Sequence, residues 1–510
     1  MLRIIRLTLA VIFITTITLL FLDFTGTLHA WFGWMAKVQF LPAILALNFG
    51  VVAFLILITL IFGRIYCSVI CPLGVFQDIV AWLGKKAKKN RYSYSKPKQV
   101  LRIAILIIFI AAMIAGVAVI PALLAPYSSY GRMVTMLLQP LYLLANNGLA
   151  SIAEHMDSYA FYSVDVWMKS LPTFIIAIAT LILVCILAWR NGRTYCNTIC
   201  PVGTVLGFIA RYARLKIVID ETACKDCGKC SKNCKAACID YKNHKVDYTR
   251  CVACGDCLQN CSFNAITYGH KKTIEREIDI IKQIQAKKAE DSAGNKGIDT
   301  GKRAFILSTA TVAVSAAYAQ EKKKVDGGYA VIADKVEPKR NTKIVPPGAL
   351  SIKNFENHCT ACQLCVSECP NDVLRPGTDL MHFMQPVMSY EKGFCRPECT
   401  RCSDVCPTGA LKPITREDKS STQIGRAVWV KDNCLILTDE ETCGNCARHC
   451  PTGAITMTMA ESLESEDGRV PIIPVVDENL CIGCGACEHV CPSRPYSAIY
   501  VEGREHHQTI

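Results

Sequence analysis

The 510-residue chain is poor in charge, at 19% of its residues. Several redox signatures are missing outright. There is no C-x-x-C-H run for covalent haem attachment and no G-x-G-x-x-G loop for a flavin or nicotinamide. No histidine stands inside the long apolar runs, so a haem held between membrane helices would have no ligand. The formal charge of +13 could suggest nucleic acid. It is gathered in short runs beside apolar segments, however, where it reads as topology, and no nucleic-acid partner is expected. What is abundant is cysteine, thirty residues in all.

Six quartets of cysteines fill the chain downstream of its apolar N-terminal third. Cys224, Cys227, Cys230 and Cys234 follow C-x2-C-x2-C-x3-C, and so do Cys251, Cys254, Cys257 and Cys261. The same spacing returns at Cys359, Cys362, Cys365 and Cys369 and at Cys481, Cys484, Cys487 and Cys491. Two variants complete the set: Cys395, Cys399, Cys402 and Cys406, and Cys434, Cys443, Cys446 and Cys450. Three cysteines on a tight loop can wrap one cubane while the fourth reaches a neighbouring one, so such motifs work in pairs. Pro370, Pro407, Pro451 and Pro492 follow fourth cysteines, as in the bacterial ferredoxin run. Zinc sites want two separated ligand pairs, and disulfide scaffolds belong to small secreted domains. The quartets therefore predict six [4Fe–4S] clusters. In the first module the expected exchange puts Cys261 with Cys224, Cys227 and Cys230, and Cys234 with Cys251, Cys254 and Cys257. Neither Cys234 nor Cys261 precedes a proline, and Cys238 is an alternative to Cys234 as ligand.

Length predicts three or four domains, and apolar runs near Ile4–Leu22, Pro42–Phe62, Leu101–Ala125 and Leu171–Trp189 approach a bilayer's thickness. The expected fold is multidomain. A membrane domain of four α-helices covers 1–215, a two-cluster α+β ferredoxin-like domain 216–270, a charged linker 271–302, a signal-like apolar segment 303–320 and a four-cluster ferredoxin-like domain 321–510. Lysines and arginines crowd residues 84–98 and are sparse near 23–41 and 126–170. The positive-inside rule then puts the N-terminus, the 84–98 loop and residues 216–302 on the cytoplasmic face of an inner membrane. Residues 304–317 form an apolar core ending in Ala317-Tyr318-Ala319, like an export signal. Retained, that segment is a fifth crossing that places 321–510 in the periplasm; otherwise all six clusters are cytoplasmic.

A duplicated motif, G-R-x-Y-C-x3-C-P-x-G, surrounds Cys67 and Cys71 and again Cys196 and Cys200. Each copy follows an even-numbered helix. Both pairs are therefore expected at the cytoplasmic surface, with Arg64 and Arg193 marking the lipid boundary. Thiols four apart share one helical face, so the two pairs could hold a seventh cluster or act as thiol/disulfide couples; otherwise Pro and Gly merely shape a helix exit.

The four-helix unit, its two C-x3-C-P motifs and the first two quartets resemble NapH, the ferredoxin-type membrane protein of periplasmic nitrate reductase systems. Residues from about 300 onward, with four quartets, resemble its polycubane partner NapG, although Gly301-Lys302-Arg303 lacks one arginine of a twin-arginine signal. NosR, CcoG and the MauN/MauM pair share parts of the pattern. The resemblance implies quinol oxidation coupled to electron delivery, with a partner reductase or cytochrome as acceptor. Similarity of the C-terminal domain to four-cluster ferredoxin subunits implies nested pairing there, the Cys359 motif with the Cys481 motif and the Cys395 motif with the Cys434 motif. His29, Arg132, Glu154, His155 and Asp157 are the polar residues available to a quinol, though each reads first as a solvated side chain. Tyr127, Tyr130, Tyr142, Tyr159, Tyr162 and Trp167 suggest interfacial helices over 126–170. A maturation or regulatory factor for another metalloenzyme would use the same motifs.

Overall fold

The computed structural model describes residues 2–88, 92–158, 160–270, 333–380, 382–460 and 470–510. The linker expected over 271–302 and the signal-like segment over 303–320 lie outside the described residues.

Apolar sequence with little internal charge forms helices wherever Gly and Pro do not interrupt it. Arg3–Leu22, within the helix Leu2–Leu22, and Leu171–Asn191 are long and apolar enough to cross a membrane. Pro172 opens the second of these in its first turn, and Gly192, at φ +68°, closes it with an N–H bonded to Ala188 O. The other two predicted helices are shorter than expected. Phe49–Phe62 starts only at Asn48, whose side chain accepts the Val51 N–H. Gln99–Ile114 ends before Gly116, which turns the chain at φ +72°, and Val119–Leu124 forms a separate short helix. Side chains such as Phe54, Ile107, Ile175 and Ile186 remain exposed on the outside of the bundle.

The four helices share a direction rule that their ends make visible. At one end the 216–270 module is attached: Arg3 pairs with Asp256 at 3.0 Å, Tyr268 donates to Phe62 O, Arg102 donates to Thr249 Oγ1, and the Arg193 N–H donates to Lys235 O. At the other end lies the C-terminal module. There Arg401 donates to Phe24 O, Ala46 lies against Gly409, Gly116 lies against Asn357, and Lys169 donates to Val366 O. The first and fourth helices are about 30 Å long at 1.5 Å per residue, so the two modules are held at opposite ends of the bundle.

Each module is built from short antiparallel pairs. Leu215–Ile219 pairs with Ile266–His270 in the first. In the second, Leu374–Pro376 pairs with Pro386–Met388, Ile455–Met459 with Ile472–Val476, and Thr422–Trp429 with Ile499–Thr509. This agrees with the expected α+β ferredoxin character. The 126–170 segment does not form a simple surface layer. All eight residues of helix Pro126–Met133 are buried, including Tyr127, Tyr130 and the fully enclosed Arg132. That helix is wedged between the bundle and the C-terminal module, where a Cβ on Gly131 would strike Cys362 O.

Candidate functional site

The cysteine loops wind because residues in them take left-handed backbone. Asp226 and Gly228, Ala253 and Gly255, Ala361 and Gln363, and Gly483 and Gly485 all have positive φ, and a short helix follows each pair. Alternating handedness turns successive N–H groups inward, the arrangement that cradles anionic centres. At Gln363 (φ +65°) this is done by a residue other than glycine, a strained choice that the surrounding loop must hold in place.

The quartets exchange their fourth members. Cys261 neighbours Cys224, and Cys234 neighbours Cys254 and Cys257, as the crossover expectation required. Cys238 is fully buried with its sulfur 3.5 Å from that of Cys234, and it also bonds Cys251. It therefore sits between Cys234 and the Cys251 loop, in contact with both. In the C-terminal module the nested expectation fails. Cys406 neighbours Cys359, Cys362 and Cys365, and Cys369 neighbours Cys395 and Cys402. Cys491 neighbours Cys446, and Cys450 neighbours Cys481 and Cys484. Motifs adjacent in sequence thus pair, because short helices Leu364–Glu368 and Arg401–Asp404 pack together, as do Asn445–Arg448 and Ala486–Val490. The two pairs meet where the Cys395 N–H donates to Cys484 O at 2.9 Å.

The duplicated motif does not lie at a surface. Cys67, Cys71, Cys196 and Cys200 are all buried, and they face one another inside the bundle. In each copy the glycine ends the preceding helix at positive φ, Gly63 at +77° and Gly192 at +68°. One short turn follows, Tyr66–Val69 or Thr194–Thr198, and then proline starts a new helix, Pro72–Lys88 or Pro201–Ala210. Proline forces the residue before it out of helical backbone: Cys200 has ψ 118°. The thiols of a copy are thus presented from a turn and a helix start, not from one continuous helical face.

Arg64 and Arg193 are likewise not boundary residues, since neither has any exposed surface. They cross between the copies. Arg64 donates to Cys196 O at 3.2 Å, and Arg193 donates to Cys67 O at 2.5 Å. The last glycine of each motif makes room: a Cβ on Gly203 would lie 2.8 Å from Arg64 Nη2, and one on Gly74 would lie 3.5 Å from Arg193 Nη1. Gln77 donates to Cys196 Sγ at 3.1 Å, and the Gly203 N–H at a helix start donates to Cys200 Sγ. Asp78, which sequence reasoning overlooked, takes Arg193 at 2.6 Å and both Arg6 and Lys235 at 3.0 Å.

The expected quinol-side residues scatter. Glu154, His155 and Asp157 are exposed beyond the other polar groups. His29 is enclosed between Asp23 and Glu368, its Nδ1 3.6 and 3.3 Å from their carboxylates. Burial opposes its protonation, but the two carboxylates outweigh that and push it up to about 9. Tyr159 lies outside the described residues.

Thiol-rich loops of this kind fit iron–sulfur clusters, because thiolates are soft donors and all thirty cysteines are free of disulfides. A family described as "4Fe-4S binding domain" matches twice, at 44–91 and 172–219, each time over one copy of the duplicated motif. A "4Fe-4S dicluster domain" matches 441–494. Among curated proteins, the methylamine utilization ferredoxin-type protein MauM of Methylobacillus flagellatus is 34% identical over 157 residues, 29% of this chain and 64% of its own length. MauM of Methylorubrum extorquens is 34% identical over 32% of this chain and 73% of its own length. The ferredoxin-type protein NapG of Escherichia coli is 34% identical over 29% of this chain and 66% of its own. The chain spans a little under two thirds of the first MauM protein's length and three quarters of another's, in Paracoccus denitrificans. With that identity and coverage, and with cysteine loops built for cubanes, the chain belongs to the MauM and NapG family of ferredoxin-type iron–sulfur proteins.

Proposed function

We propose that the chain is a membrane-embedded electron carrier that takes electrons from quinol and hands them to a partner reductase or cytochrome. In this reading it is a NapH-like membrane unit continuous with a NapG-like polycubane module. Six [4Fe–4S] clusters are held by the six quartets in the exchanged pairs described above, and the C-x3-C-P thiols hold a seventh cluster or form a thiol couple. Such clusters supply one-electron storage at potentials the protein tunes through hydrogen bonds and exposure. The four apolar helices cross an inner membrane, with 216–302 on the cytoplasmic face and 321–510 on the periplasmic face.

The observation that carries the reading is the attachment of the two modules to opposite ends of a bundle whose outside remains apolar. An exposed apolar belt of this extent on a soluble protein would aggregate; lipid satisfies it. A cavity of about 120 Å³ supports quinol as donor. Phe24, Gln139, Trp167, Lys169 and Cys369 line it beside the lipid-exposed Leu171 and Ile175. The buried Trp167 Nε1 and Thr135 Oγ1 on its wall have no partner and are donors or acceptors suited to a ring oxygen. Thr135 belongs to the π-helix Val134–Leu138, a distortion common at functional sites.

The test is anaerobic reduction of the membrane-bound protein by a menaquinol analogue, followed by visible bleaching and EPR. Rapid reduction of the C-terminal clusters is expected. Full loading with clusters but no reduction by any quinol, while dithionite still reduces them, would remove quinol from the reading and leave a maturation role.

A further inference from the structure

We infer that Cys67, Cys71, Cys196 and Cys200 jointly hold one cluster shared by the two copies of the repeat, with Arg64 as the cation that balances it, and that this centre joins the two modules electrically. The inference rests on the reading of the quartets as cluster ligands and goes beyond it in three respects: one cluster for two repeats, a specific balancing charge, and a bridging position.

The charge argument comes first. Arg64 is fully buried, and a guanidinium stays protonated in proteins. Its sister Arg193 has Asp78 at 2.6 Å. Arg64 has only neutral acceptors, Asn197 Oδ1, Thr249 O and Cys196 O, with Cys67 Sγ at 3.7 Å. Among the described residues no carboxylate reaches it, and its Nε is unpartnered. A second guanidinium, the buried Arg102, lies near enough to repel it. An isolated buried cation is very costly unless an anion is close. Among the described residues the groups beside Arg64 able to become anionic are thiols, those of the buried quartet, with Cys67 Sγ at 3.7 Å, and Cys251 of the first module. Metal binding does that, since ligating thiols are deprotonated. A cubane on four thiolates is anionic in both oxidation states and gains one more negative charge on reduction, which a fixed cation favours.

Donors reach all four sulfurs, with Arg64 Nη2 3.7 Å from Cys67 Sγ. Gly203 N–H donates to Cys200 Sγ, the matching Gly74 N–H serves Cys71, and Gln77 serves Cys196; amide donors to cluster sulfur are a recognised means of tuning potential.

The position follows from the seams. Toward the first module, Arg64 donates to Thr249 O, two residues before Cys251, and the Arg193 N–H donates to Lys235 O beside Cys234. Toward the second, Tyr195 of the repeat donates to Leu124 O, and the buried helix Pro126–Met133 separates it from Cys362 and Cys406, which Tyr127 neighbours. The quartet therefore lies between centres that the bundle otherwise holds about 30 Å apart.

The test uses the full chain in liposomes with the C-terminal module outward, ferricyanide trapped inside, dithionite outside and valinomycin with potassium to carry compensating charge. Dithionite is oxidised to sulfite and each ferricyanide takes one electron; no quinol takes part, so failure of the quinol reading leaves the result intact. Wild-type protein should bleach the trapped ferricyanide. Cys67→Ser/Cys196→Ser should lose about four irons, keep the EPR signals of the other clusters, and bleach at least tenfold more slowly. Arg64→Gln should keep all its iron, while one cluster becomes at least tenfold harder to reduce, about 59 mV for one electron; Arg64→Lys should restore part of this. Unchanged iron in the double variant, wild-type bleaching by it, or unchanged potentials in Arg64→Gln would overturn the inference.

Discussion

Asp78 is the most exacting test of how the first module is held. Its carboxylate contacts Arg193 at 2.6 Å and both Arg6 and Lys235 at 3.0 Å, drawing the first helix, the second repeat and the 216–270 module onto one point. The side chains are 12%, 0%, 6% and 12% exposed for Asp78, Arg193, Arg6 and Lys235, so water screens little of the interaction. Asp78→Asn keeps the shape and removes the charge. Breaking a buried pair from one side costs about 3–5 kcal/mol because the remaining charge is left uncompensated. Lys235 retains Asp256 at 3.1 Å, which favours the lower figure, about 3 kcal/mol, and that is roughly a hundredfold in the opening equilibrium. Hydrogen exchange of the Arg193 amide, which donates across the seam to Lys235 O, reads that opening directly. We expect exchange there to accelerate about a hundredfold, with cluster absorption unchanged. Glu478→Gln, which breaks the Arg426 pair at 47% and 51% exposure, should cost no more than about 1 kcal/mol. Protection at the seam within threefold of wild type in Asp78→Asn would refute the reasoning.

Other outcomes follow from the same geometry. Cys406→Ala should open Cys359, Cys362 and Cys365 to alkylation in the native protein and leave Cys434, Cys443 and Cys446 protected; peptide mapping showing the reverse would restore nested pairing. Cys234→Ser should cost about four irons, whereas Cys238→Ser should cost none by iron analysis. His29, flanked by Asp23 and Glu368 with Arg401 beyond Glu368 at 3.9 Å, is held up to about 9 from an ordinary 6.5. A raised folded value means its stabilisation is whole below pH 6.5 and disappears as pH passes 9. Docking of the C-terminal module on the end of the first helix should weaken over that window, as measured by protease release, and His29→Gln should flatten the dependence.

Much of the centre chemistry was legible because cysteine spacing is a local property. A C-x2-C-x2-C loop meets its metal with its own residues, and the left-handed positions at Gly228, Gly255 and Gly485 are those a short loop must use to turn around a cubane. The exchange between Cys234 and Cys261 is nearly local too, since the two loops are joined by a short connection. Nested pairing failed because it depends on which loops pack together. Sequence similarity to longer arrangements carried no information about the contact between Leu364–Glu368 and Arg401–Asp404. Arg64 and Arg193 were misplaced for a related reason. A basic residue after an apolar run usually marks a lipid boundary, and only the reciprocal crossing of two repeats puts both guanidiniums inside.

The order of residues alone determined which thiols stand at ligand spacing, where the chain is apolar and that one motif is doubled, because each depends on neighbours within a few positions. Tertiary structure decided the rest: the modules stand at opposite ends of the bundle, four thiols from two distant segments converge within it, and a buried cation faces them. Those relations join residues more than a hundred positions apart, from Arg64 to Cys196 and from Asp23 to Glu368. No local pattern encodes them, and they arise only when helices that each bury one face pack together.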